Sequence, residues 1–117
     1  MSLPSPNGAA HWATQLVRPV YPHQAAERGV EGLAVAQIRV SRSGTVTTAR
    51  ILQAPDGLIA RAVLDAAYSS RFRLPVQEPH IAAGIGKLYF YFRVRDGRPA
   101  VLLPTEAAAT HRGALQW

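Results

Sequence analysis

Strict alternation of side-chain type between Gly86 and Gly97 is the feature that most constrains the fold of this chain. The segment reads GKLYFYFRVRDG, and every second residue is apolar: Leu88, Phe90, Phe92 and Val94. The residues between them are basic or carry a tyrosine hydroxyl: Lys87, Tyr89, Tyr91 and Arg93. A period of two is typical of a β-strand with one face in a core. We therefore predict a strand from Lys87 to Val94 with the apolar set turned inward.

The length of 117 residues allows one domain, and a hydrophobic fraction of 48% is enough for a core. We expect a compact unit at residues 18–95, a flexible N-terminal segment at 1–17 and a tail at 96–117. In the tail, Asp96-Gly97 predicts a turn, and Pro99 limits any further strand to a short edge piece.

The net charge of +6 comes almost entirely from arginine, since Lys87 is the only lysine among 13 basic residues. Such a surface fits either solvated arginines or an anionic partner such as nucleic acid or acidic lipid. The arginines are scattered singly and form no stripe that could follow a phosphate backbone. Charge alone therefore does not decide the function.

Residues that carry out catalysis or bind metal are not grouped in this sequence. Cysteine is absent, which excludes disulfides, thiolate metal sites and a cysteine nucleophile. The four histidines have no metal-ligand spacing, the seven acids are dispersed, and GIGK lacks the full phosphate-loop pattern. We expect no catalytic residue, no metal site, no cofactor and no enzymatic activity. No apolar run approaches the ~20 residues of a membrane helix, and no signal peptide is visible, so we expect a cytosolic protein or a soluble piece of a longer one.

Local signals give the order of the elements. Pro22 to Gly29 reads as a short helix, with proline at its start and glycine just past its end. Two extended runs follow, joined by a hairpin turn at Ser43-Gly44, with Ala34, Ala36, Ile38 and Val40 on one face of the first run. In the second run, Val46 has the opposite parity to Ala49 and Ile51, so we predict a one-residue bulge near Thr47-Thr48.

A second helix is predicted after Asp56, which is a plausible N-cap. Its apolar residues recur at helical spacing: Ile59, Ala62, Val63 and Ala66. Pro75 opens a predicted loop that runs to Gly86. The order helix-strand-strand-helix-strand predicts an α+β fold in two layers, a three-stranded antiparallel sheet with both helices on one face.

Residues 18–94 resemble the C-terminal domain of the TonB family, the periplasmic energy transducers of Gram-negative bacteria. The opening RPVYPHQAAERGVEGLAVAQIRVSRSGTV has a Tyr-Pro pair, a short helix, and Glu-Gly leading into a strand and a glycine hairpin. ARILQAPDGLIARAVLDAAYSSRFRLP resembles the second half of the domain, and KLYFYFRV resembles its closing strand. The transmembrane helix and the proline-rich spacer of full-length members are missing here.

The resemblance implies a non-enzymatic module that captures an extended segment of an outer-membrane transporter and transmits force for energy-dependent transport. It implies a periplasmic location, anchored in the inner membrane in the full-length protein, where an inner-membrane proton-motive complex acts through the missing N-terminal region. Strand addition at an open sheet edge is the expected mode of capture, with the strand from Lys87 to Val94 as that edge. The residues expected to contact the partner are Tyr21, Pro22, Lys87, Tyr89, Tyr91 and Arg93.

The same open edge predicts homodimers by strand pairing or strand swapping. Two alternative functions stay open at this point. One is an accessory or adaptor domain of the same fold in a sensor or secretion system. The other is a basic single-stranded nucleic-acid-binding module that uses Tyr89, Tyr91 and the arginines, although nucleic acid is not the partner that we expect.

Overall fold

The computed structural model describes residues 8–73 and 83–106. After a 3₁₀ turn at Gly8–Trp12, the elements are β1 (Ala13–Gln15), α1 (His23–Glu27), β2 (Gly32–Ser41), β3 (Val46–Gln53), α2 (Gly57–Ser69), β4 (Arg71–Phe72), β5 (Ala83–Arg95) and β6 (Arg98–Leu102). The main sheet is antiparallel with strand order β3-β2-β5-β6, and β1 and β4 form a separate two-stranded ribbon. The predicted α+β class is confirmed, but the sheet has four strands because the chain turns back after β5.

One core lies between a single face of the sheet and the two helices. Four alternate residues of β2 are almost fully buried, as their parity predicts: Ala34, Ala36, Ile38 and Val40. The helices contribute Ala25, Ile59, Val63 and Ala67 to the same cluster. The alanines of β2 leave room for the helices to approach the sheet closely, so the larger side chains of β5 fill the space beside them.

The β2–β3 hairpin contains the predicted bulge. Arg39 pairs with Thr48, and Val40 pairs with Val46, so Thr47 is the extra residue of β3. The bulge turns Val46 into the core, where only 8% of the residue is exposed. The turn before it needs a glycine, because Gly44 has φ +92° and a Cβ there would lie 2.1 Å from the carbonyl oxygen of Phe72.

Both predicted helices form. Pro22 precedes α1, and Gly29 follows it with a left-handed φ of +67°. Asp56 caps α2, since its Oδ1 accepts a hydrogen bond of 2.8 Å from the Ile59 amide. The helix ends at Ser69, and the hydroxyl of buried Ser70 donates to the Ala66 carbonyl over 2.9 Å.

The packed body extends beyond the residues that the sequence assigned to it. Ala9 is fully buried in the core, and the Arg73 amide donates to the Trp12 carbonyl over 2.8 Å beside the β1–β4 ribbon. Residues 8–17 of the expected flexible end are therefore part of the folded unit. Of the predicted loop between Pro75 and Gly86, residues up to 82 lie outside the described part of the chain, and β5 begins at Ala83.

Candidate functional site

Strand β5 lies inside the sheet along part of its length. It pairs with β2 from Ala83 to Phe92, and on its other side it pairs with β6 from Tyr91 to Arg95. The expectation of an open edge from Lys87 to Val94 is therefore wrong for its second half. Asp96 and Gly97 both have positive φ, which forms a tight hairpin and brings β6 back onto β5.

Pro99 fits into β6 because no hydrogen bond of the sheet is lost there. It lies opposite Val94, and the Val94 amide donates instead to Oε2 of Glu31 over 2.7 Å, on the side of β2. Backbone groups alternate in direction along a strand, so those of Tyr91 and Arg93 point toward β6. By the same alternation, the backbone groups of Lys87 and Tyr89 also point to that side, beyond the end of β6.

The inner face of β5 is the predicted one. Leu88 and Phe90 are fully buried, Phe92 is 1% exposed, and Val94 is only half-buried. Burying one such side chain stabilises the fold by roughly 1.5–3 kcal/mol. The strand is thus fixed to the core by its inner face, which carries Phe90 and Phe92. Its outer face is left for contacts with solvent or a partner.

The four β5 residues of the predicted site share the outer face of the strand. Lys87 is exposed, and Tyr89, Tyr91 and Arg93 are half-exposed. The structure brings these four together, and their exposure leaves each of them accessible in part.

The N-terminal 3₁₀ turn lies against the beginning of this site. A Cβ on Gly8 would be 2.2 Å from the Lys87 carbonyl oxygen and 2.9 Å from Cε2 of Tyr89, so only glycine allows this approach. Gly8 also has a left-handed φ of +63°. This contact was not predicted from the sequence, where the glycine at the end of MSLPSPNG is its only local signal.

Tyr21 and Pro22 lie at the opposite end of β5. The ring of Tyr21 packs edge-on against Phe92 with centroids 5.1 Å apart, and its hydroxyl donates to the Val30 carbonyl. Burial raises the pKa of Tyr21, and the negative charges of Glu31 and Asp56 raise it further. Through its ring contact with Phe92 and its hydrogen bond to Val30, Tyr21 holds the start of α1 on the sheet. A partner contact for Tyr21 and Pro22 stays a prediction.

A long-range ion pair holds β6 in place. The guanidinium of Arg18 donates to both carboxylate oxygens of Glu106 and also to the Val101 carbonyl of β6 over 3.1 Å. Glu106 accepts a further hydrogen bond of 2.8 Å from the Leu103 amide. The hydrogen bond from Arg18 lowers the pKa of Glu106, with a smaller contribution from the Leu103 amide. We call these four residues the β6 clasp.

Glu31 forms a second tie at the end of β5. Its carboxylate accepts the Val94 amide and Arg95 Nη1, each over 2.7 Å. The backbone hydrogen bond from Val94 lowers the pKa of Glu31 most, followed by the hydrogen bond from Arg95. Neither this tie nor the clasp was found from the sequence, because the partners lie far apart in it.

No cluster of three or more metal-ligating side chains occurs among residues 8–73 and 83–106. Within the same ranges, no helix is long and apolar enough to cross a membrane. The site is thus a stretch of strand with half-exposed aromatic and basic side chains. On the β6 side of β5, no strand among the described residues pairs with Lys87 or Tyr89, while β6 pairs with Tyr91 and Arg93. Backbone groups of this kind can bind another extended polypeptide.

Comparison with known proteins identifies the family and supports the fold. Residues 17–94 match the family model described as Gram-negative bacterial TonB protein C-terminal. Among solved structures, the chain is similar to the solution NMR structure of the Pseudomonas aeruginosa TonB CTD, at 24% identity and a TM-score of 0.60. That likeness covers 84% of this chain and 97% of the other, and it supports the fold. A comparison with curated proteins finds no match.

The family match places the chain among periplasmic protein-interaction domains of the kind that act on outer-membrane transporters. The chain belongs to the TonB C-terminal domain family, a family of protein-interaction domains. The resemblance inferred from the sequence is confirmed. Strands β1 and β6 and the 3₁₀ turn lie outside the residues matched by the family model.

Proposed function

We propose that this domain captures an extended segment of a TonB-dependent outer-membrane transporter by adding it as a strand to β5, and that it passes a pulling force to that segment. The carrying observation is the orientation of β5. Its inner face is buried to 1% exposure or less from Leu88 to Phe92, while its odd-numbered residues turn their backbone groups toward the β6 side.

Capture would begin at Lys87 and Tyr89. Their backbone groups lie beyond the end of β6, and the 3₁₀ turn with Gly8 lies over them without a described backbone hydrogen bond to β5. An incoming strand would satisfy these groups with its own amides and carbonyls, which gives modest affinity with little demand on sequence. Displacement of the 3₁₀ turn is the cost of this step.

Extension of the added strand to Tyr91 and Arg93 would require β6 to leave, because β6 already pairs with both. The β6 clasp opposes that movement. We infer that β6 is the resident occupant of the second half of the site and that a guest segment competes with it. The half-exposed rings of Tyr89 and Tyr91 would contact alternate side chains of the guest on the outer face of the sheet.

Force would enter on the N-terminal side, where an inner-membrane proton-motive complex would act through the rest of a membrane-anchored protein. Tyr21 connects that side to β5 through its contact with Phe92, and Arg18 connects it to β6. A pull on this segment would thus reach both strands of the site.

The direct experiment is an NMR titration of the domain with peptides from the periplasm-facing N-terminal segments of outer-membrane transporters. We expect the amides of Lys87 and Tyr89 to shift first, and those of Tyr91 and Arg93 to shift together with β6. A folded domain in which none of these amides responds to any peptide would contradict capture at β5.

A further inference from the structure

The main sheet has a second edge, formed by β3, and this edge is covered in a way that the proposed function does not use. β3 lies at the outside of the strand order and pairs only with β2 among the described strands. An uncovered edge of this kind pairs readily with another strand, including the same strand of a second copy. What closes the β3 edge therefore decides where a partner strand can bind.

The hydroxyl of Tyr68 closes the centre of that edge. Tyr68 lies near the end of α2, and its Oη accepts a hydrogen bond of 3.0 Å from the Ala49 amide. Because the amide of Ala49 donates to Tyr68, it points away from β2. The distance matches that of a hydrogen bond between strands, so the Tyr68 oxygen takes the position that a carbonyl of an added strand would need.

Little else of the β3 edge is regular enough for pairing. Thr47 is bulged at one end, and a second register shift falls at Leu52 near the other. Backbone groups alternate in direction, so the regular stretch between the bulges turns only Ala49 and Ile51 outward. Ala49 and Ile51 are thus the two residues through which an added strand could form hydrogen bonds, and Tyr68 already binds the amide of Ala49.

We propose that Tyr68 is a specificity-determining residue that closes the β3 edge to strand addition, above all to β3 of a second copy, and so leaves β5 as the strand that accepts a partner. The part of this statement that concerns β5 rests on the proposed function. The part that concerns β3 does not. Antiparallel pairing of two β3 strands would join two sheets about a two-fold axis, which is the common geometry of homodimers.

Two variants and a control test the proposal. Tyr68→Phe keeps the ring and removes the hydroxyl, and Tyr68→Ala removes both. Ser69→Ala removes a neighbouring exposed hydroxyl, which donates to the Asp65 carbonyl and not to β3. Because a single hydrogen bond is removed, we expect the Ala49 amide of Tyr68→Phe to exchange with solvent about fivefold faster than in the wild type. The Ser69→Ala control should leave that rate unchanged.

Sedimentation measurements on Tyr68→Ala should show self-association at least about tenfold stronger than that of the wild-type chain, with the amides of Ala49 and Ile51 protected in the dimer. Unchanged Ala49 exchange in both Tyr68 variants, or unchanged association in Tyr68→Ala, would overturn the proposal. A transporter peptide should contact β5 alone in the wild type and both edges in Tyr68→Ala. If no peptide binds to either protein, the proposed function fails, while exchange and sedimentation still decide the role of Tyr68.

Discussion

The carboxylate of Glu106 binds the guanidinium of Arg18, which lies 88 positions earlier in the chain. The same guanidinium donates a hydrogen bond to the carbonyl of Val101 in β6. This contact connects the segment before α1 to the strand after β5. It lies at the surface, where both side chains are partly exposed. The closure of the second half of the β5 site therefore includes a solvent-accessible ion pair, in addition to the pairing of β6 with β5 and the packing of Val101 against the core.

Opening the β6 clasp is expected to favour capture. In Glu106→Gln the ion pair is lost, and an exposed pair of this type contributes roughly 0.2–1 kcal/mol. Affinity for a transporter peptide should rise by up to about fivefold, and the amides of β6 should exchange faster. Asp65→Asn breaks an exposed pair with Arg61 on α2 and serves as the control. Weaker peptide binding by Glu106→Gln than by the control would show that β6 assists capture.

The two faces of β5 should respond differently to mutation. Phe90→Ala removes a fully buried ring and should lower the free energy of unfolding by about 3–5 kcal/mol. Tyr91→Ala removes a half-exposed ring and should cost about 1 kcal/mol or less, while it weakens peptide binding. Urea denaturation and peptide titration measure the two effects. Equal losses of stability in both variants would contradict the assignment of the faces.

A methyl group at Gly8 should uncover the beginning of the site. In Gly8→Ala the new Cβ would clash with the Lys87 carbonyl oxygen, in a backbone conformation that is unfavourable for alanine. We expect the 3₁₀ turn to lift, the amides of Lys87 and Tyr89 to exchange faster, and peptide binding to tighten. Gly29→Ala is the matched control, because Gly29 has a similar φ of +67° and no atom within 4 Å of the added Cβ. Slower exchange at Lys87 in Gly8→Ala would count against a covering role.

Acid should loosen the ends of β5 and β6 before the core. The pKa values of Glu31 and Glu106 lie below the ordinary value of 4.5 in the folded protein. Their contribution to stability is therefore complete above about pH 4.5 and is lost as the pH falls through the lowered values. The amide shifts of Val94 and Leu103 should report these titrations. The Phe72 amide, which donates to the Gly44 carbonyl, should not change with them. Titration midpoints of Glu31 and Glu106 above the ordinary carboxyl pKa would show that these hydrogen bonds do not stabilise the two carboxylates.

Local patterns were sufficient to predict much of the fold. The faces of β2 and β5 follow from side-chain alternation, which a sheet with one buried face imposes on each strand separately. The bulge at Thr47 followed from the parity change between Val46 and Ala49, and the cap at Asp56 from its position before the helical residues. Each of these signals lies within a few residues of the structure that it predicts.

The turn at Asp96-Gly97 and the short edge strand after it form as expected, but the β1–β4 ribbon and the side-chain contacts that close the site were not predictable in this way. Strands β1 and β4 have three and two residues, which is too short for any period. Pro99 has no amide hydrogen to donate and was therefore expected to limit the strand. It lies opposite Val94, whose amide donates to Glu31, so the sheet loses no hydrogen bond there. The contacts of Arg18, Gly8 and Tyr68 join distant parts of the chain, so no local pattern contains them.

All ten residues of β2 pair with β5, and this ladder is longer than the row of β5 residues from Lys87 to Arg93 that we propose as the site of a guest strand. A pull directed along the strands loads the hydrogen bonds of the β2–β5 ladder and of the β5–guest ladder in shear. The hydrogen bonds of each ladder share the load, so the ladder with fewer hydrogen bonds breaks first. Under tension, a guest strand would slide off while the domain stays whole. The domain could then engage again without having to refold.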